Sequence, residues 1–83
     1  MFLAKVYVRL KKGLLDPQGK AIEGAIGSMG FTGIEDIKVG KLIDIKLKAK
    51  DRGEAEKRVK QICEKLLVNP VIEVATFDLE AIS

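Results

Sequence analysis

The chain has 83 residues, 47% of them apolar and 33% charged, with 15 basic against 12 acidic side chains. That length allows one domain, over residues 1–83, with a thin core that association would help to stabilise. With no histidine and a single cysteine, the chain has no intramolecular disulfide, no thiolate-only metal site, and not the usual base for a Ser or Cys nucleophile. The net charge of +3 is spread over interleaved signs, which predicts a solvated, salt-bridged surface and no nucleic-acid partner. No apolar run is long enough to span a bilayer and no basic-then-apolar leader is present, so the expected location is cytoplasmic, with no membrane partner.

Phe2 to Leu10 alternate. Phe2, Ala4, Val6, Val8 and Leu10 share one face, with Lys5, Tyr7 and Arg9 on the other, which predicts a half-buried strand. Asp16-Pro17 marks a helix start, Asp16 as cap and Pro17 at the first position. The helix runs from about Pro17 to Met29, with Ile22, Ala25, Ile26 and Met29 on one stripe and Gly30 as a left-handed terminator. Gly24 and Gly27 each weaken that helix by about 1 kcal/mol relative to Ala. Such a cost points to close packing on the chain's own sheet, a second protomer or a ligand.

Ile37 and Val39, then Gly40-Lys41, then Ile43, Ile45, Leu47 and Ala49 predict a hairpin with a type II′ turn at Gly40. Asp51-Arg52-Gly53-Glu54 has the pattern of a capping box. The helix it opens shows Ala55, Val59, Ile62, Cys63, Leu66 and Leu67 at helical spacing, with Glu54/Arg58 and Glu56/Lys60 as i, i+4 pairs. Asn69-Pro70 stops it. A last strand runs from Val71 to about Ile82. Its alternation slips between Ile72/Val74 and Phe77/Leu79, which calls for either a bulge near Ala75-Thr76 or cover on both faces, the latter supplied by a neighbouring protomer.

The order β-α-β-β-α-β with right-handed crossovers predicts an α+β ferredoxin-like sandwich, a four-stranded antiparallel sheet with both helices on one face. No constellation for catalysis accompanies it. Cys63 lies on an apolar stripe, as a small buried hydrophobe does. The carboxylates lie on wet faces, and the glycines of the first helix do not sit between a strand and a helix start, as a phosphate loop requires. Tyr7 alone makes no stacking platform for RNA.

The runs Lys5-Val6-Tyr7-Val8, Gly13-Leu14-Leu15-Asp16-Pro17-Gln18-Gly19-Lys20-Ala21-Ile22-Glu23-Gly24-Ala25, Gly30-Phe31, Val39-Gly40-Lys41, Ala55-Glu56, Cys63-Glu64-Lys65-Leu66-Leu67 and Asn69-Pro70-Val71-Ile72-Glu73 closely resemble the PurS family, over nearly the whole chain. Gly27-Ser28-Met29 departs from the family pattern, which has larger or less flexible residues there. PurS is the small subunit of phosphoribosylformylglycinamidine synthase, in purine biosynthesis. The resemblance implies a dimer or tetramer of this chain that joins a glutaminase subunit (PurQ) to an ATP-dependent synthetase subunit (PurL), with a part in ammonia transfer between them. It implies no catalytic, cofactor-binding or metal residues here, with ATP and Mg belonging to the large partner. Candidate protomer or partner contacts are Gly24, Gly27, Ile72, Val74, Phe77, Leu79, Tyr7 and Arg9. The alternative is an ACT-like regulatory module binding a small metabolite, motivated by the element order and a glycine before the first helix.

Overall fold

Strand β1 (Phe2–Leu10) occupies the centre of the sheet in the computed structural model, which describes residues 1–82. Its alternation is realised as expected: Ala4, Val6 and Val8 are buried while Lys5 and Arg9 are exposed. Strand β2 (Lys41–Leu47) pairs antiparallel on one side of β1 and strand β3 (Glu73–Ala81) on the other, in the order β2-β1-β3. Val6 thus lies opposite both Ile43 and Phe77. Strands β2 and β3 run parallel to each other, and helix α2 (Arg52–Ile62) connects them across β1. That half of the molecule is a split β-α-β unit.

The core fills the space between α2 and one sheet face. Ala55, Val59 and Cys63 meet Ala4, Val6, Val8, Leu47 and Leu79 there. The N-cap is Asp51, whose side chain accepts from the Glu54 N–H at 2.8 Å, while Glu54 accepts in turn from the Lys50 N–H. The helix continues as a π turn over Cys63–Leu67, closed by the Val68 N–H donating to the Cys63 carbonyl. Glu54 pairs with Arg58 as expected, but Glu56 pairs with Arg52. Asn69 then builds a turn: its carbonyl accepts from the Ile72 and Glu73 N–H groups and its side chain from Val71. Strand β3 therefore starts at Glu73, two residues later than the sequence suggests. Its register with β1 is unbroken from Glu73 to Ala81, so there is no bulge near Ala75-Thr76.

Helix α1 (Pro17–Ser28) starts and stops as expected. Gly30 has φ 89°, its N–H bonds to the Gly27 carbonyl and that of Phe31 to the Ile26 carbonyl, the two bonds of a Schellman motif.

Two expectations are corrected. The hairpin through Gly40 does not form: residues 37–39 belong to no strand, Gly40 lacks the positive φ of a type II′ turn, and the sheet has three strands among the described residues. The Val39 N–H, needed for that ladder, donates to Asp16 Oδ2 at 2.6 Å. Nor does α1 lie on the sheet beside α2. Its stripe residues Ile22 and Met29 are exposed, because no strand returns across β2 to close the first crossover. The molecule measures 52 × 29 × 15 Å and its radius of gyration is 16.5 Å, against about 12 Å for a compact domain of this length.

Candidate functional site: a limb and a groove

The N-terminal turn of α1 is fixed at one point. Asp16 is buried and its carboxylate accepts from Gly19 N–H at 3.0 Å and from Val39 N–H. The hydrogen bond from Gly19, then that from Val39, holds its carboxyl below the ordinary value for aspartate, against an opposing push from burial. Lys38 adds a bond from Nζ to the Leu14 carbonyl at 2.9 Å. Gly19 is buried here, and a Cβ at that position would run into the backbone carbonyl of Ile37. A Cβ on Gly40 would come within 2.8 Å of the Val8 carbonyl oxygen. These two close approaches and the second bond of Asp16 join residues far apart in the chain and leave no trace in local periodicity. The Leu15-Asp16-Pro17-Gln18-Gly19 run was the available signal.

Beyond that anchor α1 and the segment after it form a limb. Met29 is 71% and Phe31 60% exposed, and Ile22 and Ile34 are exposed beside them. Gly24 and Gly27 also lie on the limb, with open space where their Cβ atoms would be, so no part of this chain packs closely on them.

A groove of about 640 Å³ runs between the π turn and β3, lined by Val68, Pro70, Ala75 and Phe77 among others. Val74 lines it and is 47% exposed; Ile72 is exposed nearby in sequence. Phe77 packs partly against the core, and Leu79 is buried inside it. The lining charges, Lys11 and Lys60 with Glu64 and Glu73, balance in sign. Cys63 sits in the lining as well, and burial pushes its thiol up, which leaves it protonated and unreactive at neutral pH.

The open face of the sheet carries Tyr7 and Arg9, the guanidinium carbon 5.7 Å from the ring centroid. On the same face Lys5 lies between Asp44 and Asp78 in register. Among the described residues no group of three or more His, Cys, Asp or Glu is placed to hold a metal ion, and no helix is long and apolar enough to cross a membrane.

Fold and surface together define a small α+β domain that exposes uncharged apolar surface, the class of an association module. The family model for PurS, phosphoribosylformylglycinamidine (FGAM) synthase, matches residues 3–81. The chain belongs to the PurS family. It is 40% identical to the phosphoribosylformylglycinamidine synthase subunit PurS of Bacillus subtilis, over 99% of this chain and 96% of that protein. The crystal structure of PurS from Methanocaldococcus jannaschii, one of the subunits of formylglycinamide ribonucleotide amidotransferase in the purine biosynthetic pathway, superposes with a TM-score of 0.88 at 35% identity, covering 100% of both chains. A chain of the PurLQS structure from Thermotoga maritima gives a TM-score of 0.85 at 27% identity, covering 96% of this chain and 99% of that one. The ACT-like alternative draws no support from these relatives.

Proposed function

We propose that this chain, as one domain over residues 1–83, is the small non-catalytic subunit of a cytoplasmic phosphoribosylformylglycinamidine synthase. In that assembly it joins the glutaminase (PurQ) and synthetase (PurL) subunits and assists the transfer of ammonia between them. The observation that carries this is the full-length match to a chain of PurLQS. ATP and Mg belong to the large partner: at the α1 N-terminus the Gly19 N–H is already taken by the Asp16 carboxylate, and Gly24 and Gly27 lie further along the helix, so they form no phosphate cradle. The overall reaction converts formylglycinamide ribonucleotide, glutamine and ATP to the amidine, glutamate, ADP and phosphate.

The same assembly includes more than one copy of this chain, a dimer or tetramer. Its accessible surface is 6206 Å², whereas a compact monomer of this size exposes about 4,900 Å². The order β2-β1-β3 leaves free the edge of β2, where the fourth strand of a ferredoxin-like sheet lies, and that edge is completed on assembly. Gly24, Gly27, Ile72, Val74, Phe77, Tyr7 and Arg9 are candidate contacts. Leu79, also a candidate, would serve only by supporting them from the core.

Reconstitution tests the function. With both larger subunits present, glutamine-dependent amidine formation should collapse when this chain is left out and return when it is added. Undiminished glutamine-dependent activity without it would overturn the proposal.

A further inference from the structure

Two stretches of this highly charged chain carry no charge. Residues 24–34 read Gly-Ala-Ile-Gly-Ser-Met-Gly-Phe-Thr-Gly-Ile, and residues 66–72 read Leu-Leu-Val-Asn-Pro-Val-Ile. In the fold the first is the outer part of the limb, and the second borders the groove beside β3. The limb exposes Met29, Phe31 and Ile34. The second stretch contributes Val68 and Pro70 to the groove lining, beside Val74, Ala75 and Phe77 of β3, and exposes Leu66, Val71 and Ile72 outside it. Patches of this kind mark surfaces that another protein covers.

The limb presents its apolar residues to solvent and the groove is a recess, so two limbs packed together would leave both grooves empty. An uncharged limb enters a groove of balanced charge without leaving an unpaired ion behind. The limb is held to its own chain at Asp16, and its stripe faces solvent from there onward. The excess surface, about 1,300 Å² over a compact monomer, matches the roughly 1,000–2,500 Å² per partner that obligate homodimers bury.

We propose that residues 24–34 of one copy lie in the groove beside β3 of a second copy, and that the second copy returns the same contact. The pairing is isologous, each contact occurring twice about a two-fold axis. It rests on the homo-oligomer described above and specifies its surfaces.

Paired cysteines test it. In a Cys63→Ala background, Met29→Cys and Val74→Cys chains are made separately, mixed in denaturant, refolded and mildly oxidised. The mixture should give a dimer joined between positions 29 and 74, identified by peptide mass, and each variant alone should give little. A 29–29 link overturns the docking while leaving the oligomer intact. An Ile26→Cys and Val68→Cys pair repeats the measurement at a second point. Absence of both cross-links in a sample that light scattering shows to be oligomeric overturns the docking as well. A monomer at micromolar concentration of the unaltered chain overturns the oligomer and the docking together. Independently, Met29→Glu should weaken self-association at least tenfold. Unchanged association of that variant would count against the limb.

Discussion

Asp16 accepts the backbone N–H of Val39 at 2.6 Å, joining positions 23 residues apart. One carboxylate thereby caps a helix and removes the following segment from the sheet. The bond also gives the anchor a pH dependence. The folded-state value of Asp16 is lowered, by the Gly19 bond first and the Val39 bond second. Its contribution is therefore present above the unfolded value of about 4 and is lost as pH falls through the lowered folded value. Urea titrations of the wild type and Asp16→Asn should show a stability gap that is full at neutral pH and shrinks below about pH 4. A gap independent of pH would disprove the assignment.

Glycines of the same helix should respond in opposite ways to alanine. Gly19→Ala forces a methyl group against the Ile37 carbonyl and should destabilise the chain by about 2 kcal/mol. Gly24→Ala meets nothing within its own chain and should stabilise the helix by about 0.5–1 kcal/mol. The measurement is thermal unfolding at several concentrations. If Gly24 also lies in a contact between copies, its gain should fade as concentration rises.

The core prediction separates neighbours on one helical path. Val59 is fully buried and Leu66 is 77% exposed. Val59→Ala should cost about 2 kcal/mol, whereas Leu66→Ala should change the stability of the isolated chain by no more than about 0.5 kcal/mol. Denaturant midpoints at low protein concentration distinguish the two.

Asp51 caps α2 through the Glu54 N–H. Its replacement by Ala should lower stability by about 1 kcal/mol. Replacement by Ser should restore most of the loss, since a hydroxyl accepts the same bond. Equal losses in both variants would show that the cap oxygen is not what matters.

The elements that local chemistry controls were legible in the sequence. The alternation of β1, Asp16-Pro17, Asp51-Arg52-Gly53-Glu54 and the terminator Gly30 each act within a few residues and appear as read. The hairpin was not legible, because its failure depends on a carboxylate far upstream taking the Val39 N–H. The last strand shows a subtler case. An uninterrupted register places Ala75, Phe77 and Leu79 inward and Val74 outward, while Ile72 belongs to the Asn69 turn before the strand. The slip in apolar pattern is therefore no bulge: Ile72 precedes the strand, and Val74 is an apolar residue on the open face within it. Of the candidate contacts, Gly24, Gly27 and Val74 lie on open surface, whereas Leu79 is interior. Periodicity alone could not separate them, since it shows that a residue faces apolar surroundings and not whose surroundings they are.

The placement of Lys5 between Asp44 and Asp78 has a consequence for alignment. A slide of two residues keeps every side chain on its proper face, so burial alone does not forbid it. It would, however, bring Lys5 opposite Leu42 or Lys46 on one side and Thr76 or Glu80 on the other. A slide of β2 in either direction, or of β1 against both neighbours, costs the central lysine at least one acidic neighbour, each such pairing favourable by roughly 0.2–1 kcal/mol. Three charged side chains on the solvent face thus act as a registration mark for strands whose oily side could tolerate more than one fit.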